Sequence, residues 1–261
     1  MKNQIKFIVY KIKPILNSVL NVFLPNVGSK YYTLMQKKSY KKYTQNIEDA
    51  KNLCVGHFEK HENYPYEKYL LENYDGDFNL ALDFGCGVGR MMNRMLKVFD
   101  VVHGIDISEN NLIHAKKYLL ENGVSENRFH LFLSNGSGCI TDMEFKYDFI
   151  YSTIVIQHIA VHSIRIKIFN DIYKQLSDKG IACLQFGFGW DNGTYWKDNY
   201  YAATSTNGGH DFSVPNESHL EHIILDMKKI GFKDVSFQFH ESPHPEITEY
   251  HPVWIFMTLK K

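Results

Sequence analysis

Runs of apolar residues alternate with stretches of helical period along most of this chain. At the N-terminus, Ile5, Ile8, Val9 and Ile12, then Ile15, Leu16, Val19, Leu20, Phe23 and Leu24 follow i, i+3, i+4 spacing. That spacing predicts an amphipathic helix with a break at Pro14. A short helix is expected over Glu67 to Asn73. From there the alternation becomes regular. An apolar run ending in Asp83 predicts a first strand, and Arg90 to Leu96 has the propensity of a helix. Val101 to Asp106 predicts a second strand, and Ser108 to Asn122 a helix with Ser108 as N-cap and Gly123 as its stop. Phe129 to Leu133 and Tyr147 to Thr153 predict the third and fourth strands. Val155 to Ile159 leads into a helix through Leu176, and Gly180 opens a fifth strand, Ile181 to Phe186. A helix over Glu217 to Ile230 stops at Gly231, and two last strands, Val235 to Phe239 and Val253 to Leu259, are close enough to pair antiparallel. Strands and helices in this order build a parallel sheet with helices on both faces.

Length and charge narrow the picture. The 261 residues fit one α/β domain with additions, which we divide into a helical extension and lid (1–75) and a main domain (76–261) carrying an insert at 187–215. Lysine plus arginine equals aspartate plus glutamate, 29 each, so no global field draws in nucleic acid, and no nucleic-acid partner is expected. Cys54, Cys86, Cys139 and Cys183 are scattered without a C-x-x-C pair, which points to a reducing, cytoplasmic setting and away from zinc. The N-terminal stretch is interrupted by Lys6, Lys11, Lys13, Pro14, Asn17 and Asn21, so neither a membrane span nor a signal peptide fits. Its expected role is packing on its own domain or on a second copy in a homodimer, with peripheral membrane contact as the competing reading.

Two segments carry more than one reading. Lys30 to Lys51 interleaves lysine with tyrosine, as a solvated helix face does and as a phosphate or nucleotide site also would. Gly56 to Tyr66, with His57, Glu59, His61 and Glu62, reads as a surface loop before it reads as a substrate lid or a metal site. His210, His240, Glu241, His244 and His251 add further metal-capable groups, but their spacing matches no metal signature, and no metal is expected.

The chemistry concentrates at Asp83-Phe84-Gly85-Cys86-Gly87-Val88-Gly89-Arg90. Glycines at every second position between a strand and a helix make a turn that a ligand can approach closely. Asp106, ending the second strand, stands where an acid accepts hydrogen bonds from two ribose hydroxyls. A dinucleotide turn requires a third glycine three places after the second, and Arg90 occupies that position.

In its acid followed by G-x-G-x-G the chain resembles the class I S-adenosylmethionine-dependent methyltransferases, over roughly Asn79 to Leu259. The resemblance implies a Rossmann-like fold, a mostly parallel seven-stranded sheet with an antiparallel last strand, here with an N-terminal helical extension. It implies S-adenosyl-L-methionine as cofactor, its methionine part held at Asp83, Gly85, Cys86, Gly87 and Gly89 and its ribose at Asp106, with Ile107 beside it. Asn135-Gly136 stands where the family has an acid for the adenine amino group, and an asparagine carbonyl can accept the same bond. Gln157-His158-Ile159 matches the segment lining the reaction site.

Methyl transfer to a hydroxyl needs a positioned base, and His158, at the carboxyl edge of the sheet, is the candidate. Its competing reading is a histidine that caps or packs the following helix. Trp190, Tyr195, Trp196, Tyr200, Tyr201 and His210 sit among glycines and asparagines in a loop too long and aromatic for a connector. They suit a flat polar acceptor, for which we expect a sugar or sugar-nucleotide hydroxyl of surface (capsule) polysaccharide synthesis. Lipid, quinone and amine acceptors are the alternatives, as is a methyltransferase fold that binds without catalysis.

Overall fold

The structure is a computed structural model that describes residues 25–50, 63–138, 144–189, 214–242 and 252–261, together with Val19 and Phe23. The expected N-terminal helix before Leu24, His57 and His61, the aromatic set from Trp190 to His210, and Cys54, Cys139, His244 and His251 lie outside the described residues, apart from Val19 and Phe23.

In chain order the elements are α1 (Pro25–Tyr43), α2 (Tyr66–Leu71), β1 (Leu80–Phe84), α3 (Arg90–Met95), β2 (Val101–Asp106), α4 (Glu109–Glu121), β3 (Phe129–Leu133), β4 (Tyr147–Ser152), α5 (His162–Gln175), β5 (Leu176–Phe188), α6 (Leu220–Ile230), β6 (Asp234–Glu241) and β7 (Val253–Lys260). The seven strands form one sheet in the order β3-β2-β1-β4-β5-β7-β6. β1 pairs parallel with β2 and with β4, and β7 runs antiparallel to both neighbours, β5 and β6. The strand order reverses between β1 and β4, so the carboxyl ends of these two strands flank the crevice where open α/β sheets take ligands.

The near-continuous apolar strands follow from burial on both faces. Successive residues of β1 divide between two cores: Leu82 packs with Ile150, Ile164, Ile168, Leu184 and Met257 beneath α5 and α6, and Ala81 packs with Met91, Met95, Phe149 and Phe256 beneath α2 and α3. The pleat therefore puts Asp83 on the face of Ala81, toward α3. The expected N-cap forms, with Ser108 Oγ accepting from Asn111 N at 3.3 Å.

Two boundaries differ from the sequence reading. β5 begins at Leu176 rather than at Gly180, because Leu176 pairs with Tyr147 before the register jumps to Ile181 opposite Phe149. A Cβ on Gly180 would lie 2.7 Å from Tyr147 O, so the chain crosses here only with glycine. The segment after β4 leads into α5 as expected, but through a 3₁₀ turn, Ile156–His158, so that α5 itself starts only at His162. Among the described residues no helix is long and apolar enough to cross a membrane.

Candidate functional site

The glycine turn is bound to β2 as well as to β1. Gly85 N and Cys86 N donate to Ile105 O at 2.8 and 3.0 Å, and Gly87 N donates to the Asp106 carboxylate at 3.0 Å. Gly85, Gly87 and Gly89 all have positive φ. At Gly85 the requirement is double: φ is 80°, and a Cβ would meet Val155 Cγ2 at 2.2 Å. The loop after β4 thus packs directly onto the turn.

Next to the turn lies a cavity of about 100 Å³. Its walls include Phe84, Gly85 and Gly87 from the turn, Asp106, Ile107 and Asn111 after β2, Ser134, Gly136 and Gly138 after β3, and Ile154, Val155, His158 and Ile159 after β4. Helix α1 closes it with Tyr32, Gln36 and Tyr40. A recess of about 30 Å³ shares Gly85, Gly87, Ile154 and Val155 and adds Asp83, Cys86 and Arg90.

The charged groups of the recess are buried. Asp83 Oδ2 has no hydrogen-bond partner among the described residues. Burial pushes this carboxyl up to about 8, with the Tyr151 hydroxyl and the Arg90 guanidinium only partly offsetting it and Asp106 adding to it. The Arg90 guanidinium, 5% exposed, lies 5.5 Å over the Tyr66 ring, and burial lowers its pKa. The folded value of Asp83 is above its ordinary 3.8. Its contribution to stability is therefore fully present below about pH 4 and is lost as pH rises through about 8. Asp83→Asn is expected to flatten the profile of unfolding temperature against pH over that window, and an unchanged slope would count against the shift.

Asp106 is held by backbone N–H groups on both sides of it and by a side-chain amide. Its Oδ1 accepts from Ser108 N at 2.8 Å and Asn111 Nδ2 at 3.1 Å, and its Oδ2 from Gly87 N. Burial raises its pKa, and these donors pull the other way.

His158 lines the cavity from the 3₁₀ turn. The Tyr32 hydroxyl donates to the His158 main-chain carbonyl at 3.0 Å, and Gln36 Nε2 donates to it at 3.2 Å. Ala160 N donates to the Tyr32 hydroxyl at 2.9 Å. The far end of α1 is tied by Thr44, whose hydroxyl is 2.7 Å from Ser108 Oγ and whose carbonyl accepts from His114 Nε2 at 3.2 Å.

The expected site residues sort clearly. Asp83, Gly85, Cys86, Gly87, Asp106, Ile107, Gly136 and His158 border the cavity or its recess. Gly89 serves as the N-cap of α3. Gln157 is buried next to His158, but the cavity wall runs through His158 and Ile159. Asn135 is exposed, and its side-chain oxygen accepts from Ser137 N and Ser137 Oγ at 2.9 and 3.2 Å, so Ser134 and Gly136 form the wall there.

Sequence reasoning missed Tyr32, Gln36, Tyr40, Asn111 and Ile154. Tyr32, Gln36 and Tyr40 recur every fourth residue, a helical stripe readable within the lysine-rich run. Lys30, Lys38, Lys41 and Lys42 are exposed, as on a solvated helix face, while Tyr32, Gln36 and Tyr40 line the cavity. Ile154 left no signal. It is the one non-glycine residue with positive φ, 60°, among the described residues, and its N–H donates to the buried Gln185 Oε1 at 2.6 Å. A β-branched residue in this region is strained, and here the strain sits between the cavity and the recess. Among the described residues no group of three or more metal-capable side chains gathers.

A family model described as a methyltransferase domain matches residues 58–236. Over 81 residues the chain is 38% identical to the N-terminal Xaa-Pro-Lys N-methyltransferase 1 of Bos taurus, a match covering 31% of this chain and 35% of that protein. A phosphoethanolamine N-methyltransferase 2 of Haemonchus contortus with S-adenosyl-L-methionine superposes at a TM-score of 0.59 and 18% identity, over 85% of this chain and 60% of that one. A TehB-like methyltransferase of Corynebacterium glutamicum superposes at 0.53 and 15% identity, over 83% of this chain and all of that one. At these identities the structural likeness is one of fold.

Proposed function

The chain belongs to the methyltransferase domain family, the class I S-adenosylmethionine-dependent enzymes, and from that premise we propose that it methylates a hydroxyl of a small polar acceptor, a sugar or sugar nucleotide. The observation that carries the reading is His158 on the wall of the cavity that also contains Gly85, Gly87 and Asp106.

The residues suit the cofactor. Asp83, a buried acid whose Oδ2 lacks a partner among the described residues, would meet its ammonium, and Arg90 its carboxylate. Asp106 would accept from the ribose, and Ile107 offers an apolar wall for the adenine. When bound, the cofactor supplies a methyl group on a sulfonium sulfur.

The rest is work for the protein's own groups. Helix α1 excludes water by laying Tyr32, Gln36 and Tyr40 across the cavity. His158 takes the acceptor's hydroxyl proton on a ring nitrogen as the oxygen attacks, a contribution of roughly 10²–10⁴-fold. Holding the acceptor oxygen in one fixed position would supply on the order of 7–11 kcal/mol more. Tyr32 and Tyr40 on the wall, like the aromatic residues expected at 190–201, favour a flat polar acceptor. An amine is the second reading, favoured by the local identity to an N-methyltransferase.

The experiment has two stages. S-adenosylmethionine at about 100 times its dissociation constant should stabilise the protein by roughly 2.7 kcal/mol, seen as a rise in unfolding temperature. A methyl-transfer screen over sugar nucleotides, phosphorylated amines and isoprenoid acceptors then follows. Turnover confined to amines would overturn the hydroxyl reading, and no thermal shift would favour a methyltransferase fold that serves as a partner or scaffold.

A further inference from the structure

Asp106 can satisfy only part of a ribose diol, and a second acceptor stands beside it. A carboxylate offers about four lone-pair sites. Ser108 N and Asn111 Nδ2 occupy those of Oδ1, Gly87 N takes one of the two on Oδ2, and the Ile107 backbone N–H also acts on the carboxylate. At most one site remains, while a cis-diol brings two hydroxyl donors.

Asn111 lies in the first turn of α4, lines the same cavity and is 2% exposed. Its side-chain oxygen Oδ1 is shielded from solvent and has no hydrogen-bond partner among the described residues. Chemistry fixes which amide atom is which: only the NH₂ can donate to the Asp106 carboxylate, so the other atom is the carbonyl oxygen. The residue cannot turn freely, because its own N–H is bonded to Ser108 Oγ and its amide to Asp106. A buried acceptor left unpaired is costly, and a ligand donor arriving at it removes that cost.

We propose that Asn111 is a second ribose-binding residue, its Oδ1 accepting one hydroxyl of the cofactor diol while Asp106 Oδ2 accepts the other. The proposal rests on the reading of Asp106 as the ribose acceptor. Asn111→Leu and Asn111→Ala remove the carbonyl and leave the other acceptor site in place.

Titration calorimetry with S-adenosylhomocysteine and its 2′-deoxy and 3′-deoxy counterparts tests it. Wild-type protein should bind each deoxy ligand about fivefold or more weakly than the parent, and equal binding of either one overturns the proposal. The Asn111 variants should lose about five- to tenfold in affinity for the parent. For the deoxy ligand that lacks the hydroxyl Asn111 holds, that loss should vanish, and for the other it should persist. Unchanged affinity for the parent, or equal losses for all three ligands, overturns the proposal, since Asn111 would then act only by holding Asp106. Unfolding temperatures of the unliganded variants verify that they fold, and the wild-type ligand series stands without them. If Asp106→Ala binds all three ligands as wild type does, the ribose reading itself has failed.

Discussion

Asp106→Ala is expected to weaken binding of S-adenosylhomocysteine by about a hundredfold or more in titration calorimetry, from the loss of a charge-assisted contact and of the scaffold around it. The side chain is a junction: Gly87 N from the glycine turn, Ser108 N at the start of α4 and Asn111 Nδ2 all donate to it. Deleting the carboxylate leaves these buried donors without an acceptor, at about 1–3 kcal/mol for each group that water cannot reach. The turn is then no longer held against β2 by its Gly87 N–H. Asp106→Asn keeps the shape but aims an NH₂ at groups that are themselves donors, so it should recover little affinity. Affinity within about twofold of wild type in both variants would remove Asp106 from the site.

Much of this site could be read from the chain because its parts lie where local rules govern the backbone. The turn from Asp83 to Arg90 and the end of β2 at Asp106 follow from glycine spacing and strand ends, and the structure joins them through Gly87 N and Asp106. The antiparallel last pair was legible as two strands close enough in sequence to pair. What escaped depends on distant parts of the chain, with Asn135 the local exception. Asn135 satisfies its carbonyl locally, through Ser137, as asparagines in turns commonly do. The α1 stripe of Tyr32, Gln36 and Tyr40 gains its meaning only from His158 and Ala160, more than 120 positions away. Ile154 adopts a conformation that no propensity favours, and Gln185 on β5 supplies the partner for its N–H.

His158→Ala is expected to lower turnover by about a hundredfold or more while leaving S-adenosylhomocysteine affinity within about threefold of wild type. The structure separates these two effects. Tyr32 and Gln36 hold residue 158 through its main-chain carbonyl, and Ala160 N binds the Tyr32 hydroxyl. An alanine keeps that carbonyl, so the closure of α1 over the cavity survives the substitution, and a loss of rate reports the missing imidazole rather than a displaced helix. Tyr32→Phe makes the opposite change. It removes one of the two donors to His158 O and leaves Ala160 N without its acceptor, so it should loosen the loop and weaken ligand binding as well as rate. Two further readouts decide whether the imidazole acts as a base. With a hydroxyl acceptor, the acidic limb expected of the wild-type rate–pH profile should be absent from the alanine variant, because the group that must lose its proton is gone. An acceptor of lower pKa, such as a phenol in place of an alcohol, should lose less on the substitution, since it gives up its proton with less help. Turnover near normal in His158→Ala, with the acidic limb intact, would instead make residue 158 a packing position and send the search for the base to the 190–213 segment, where His210 lies.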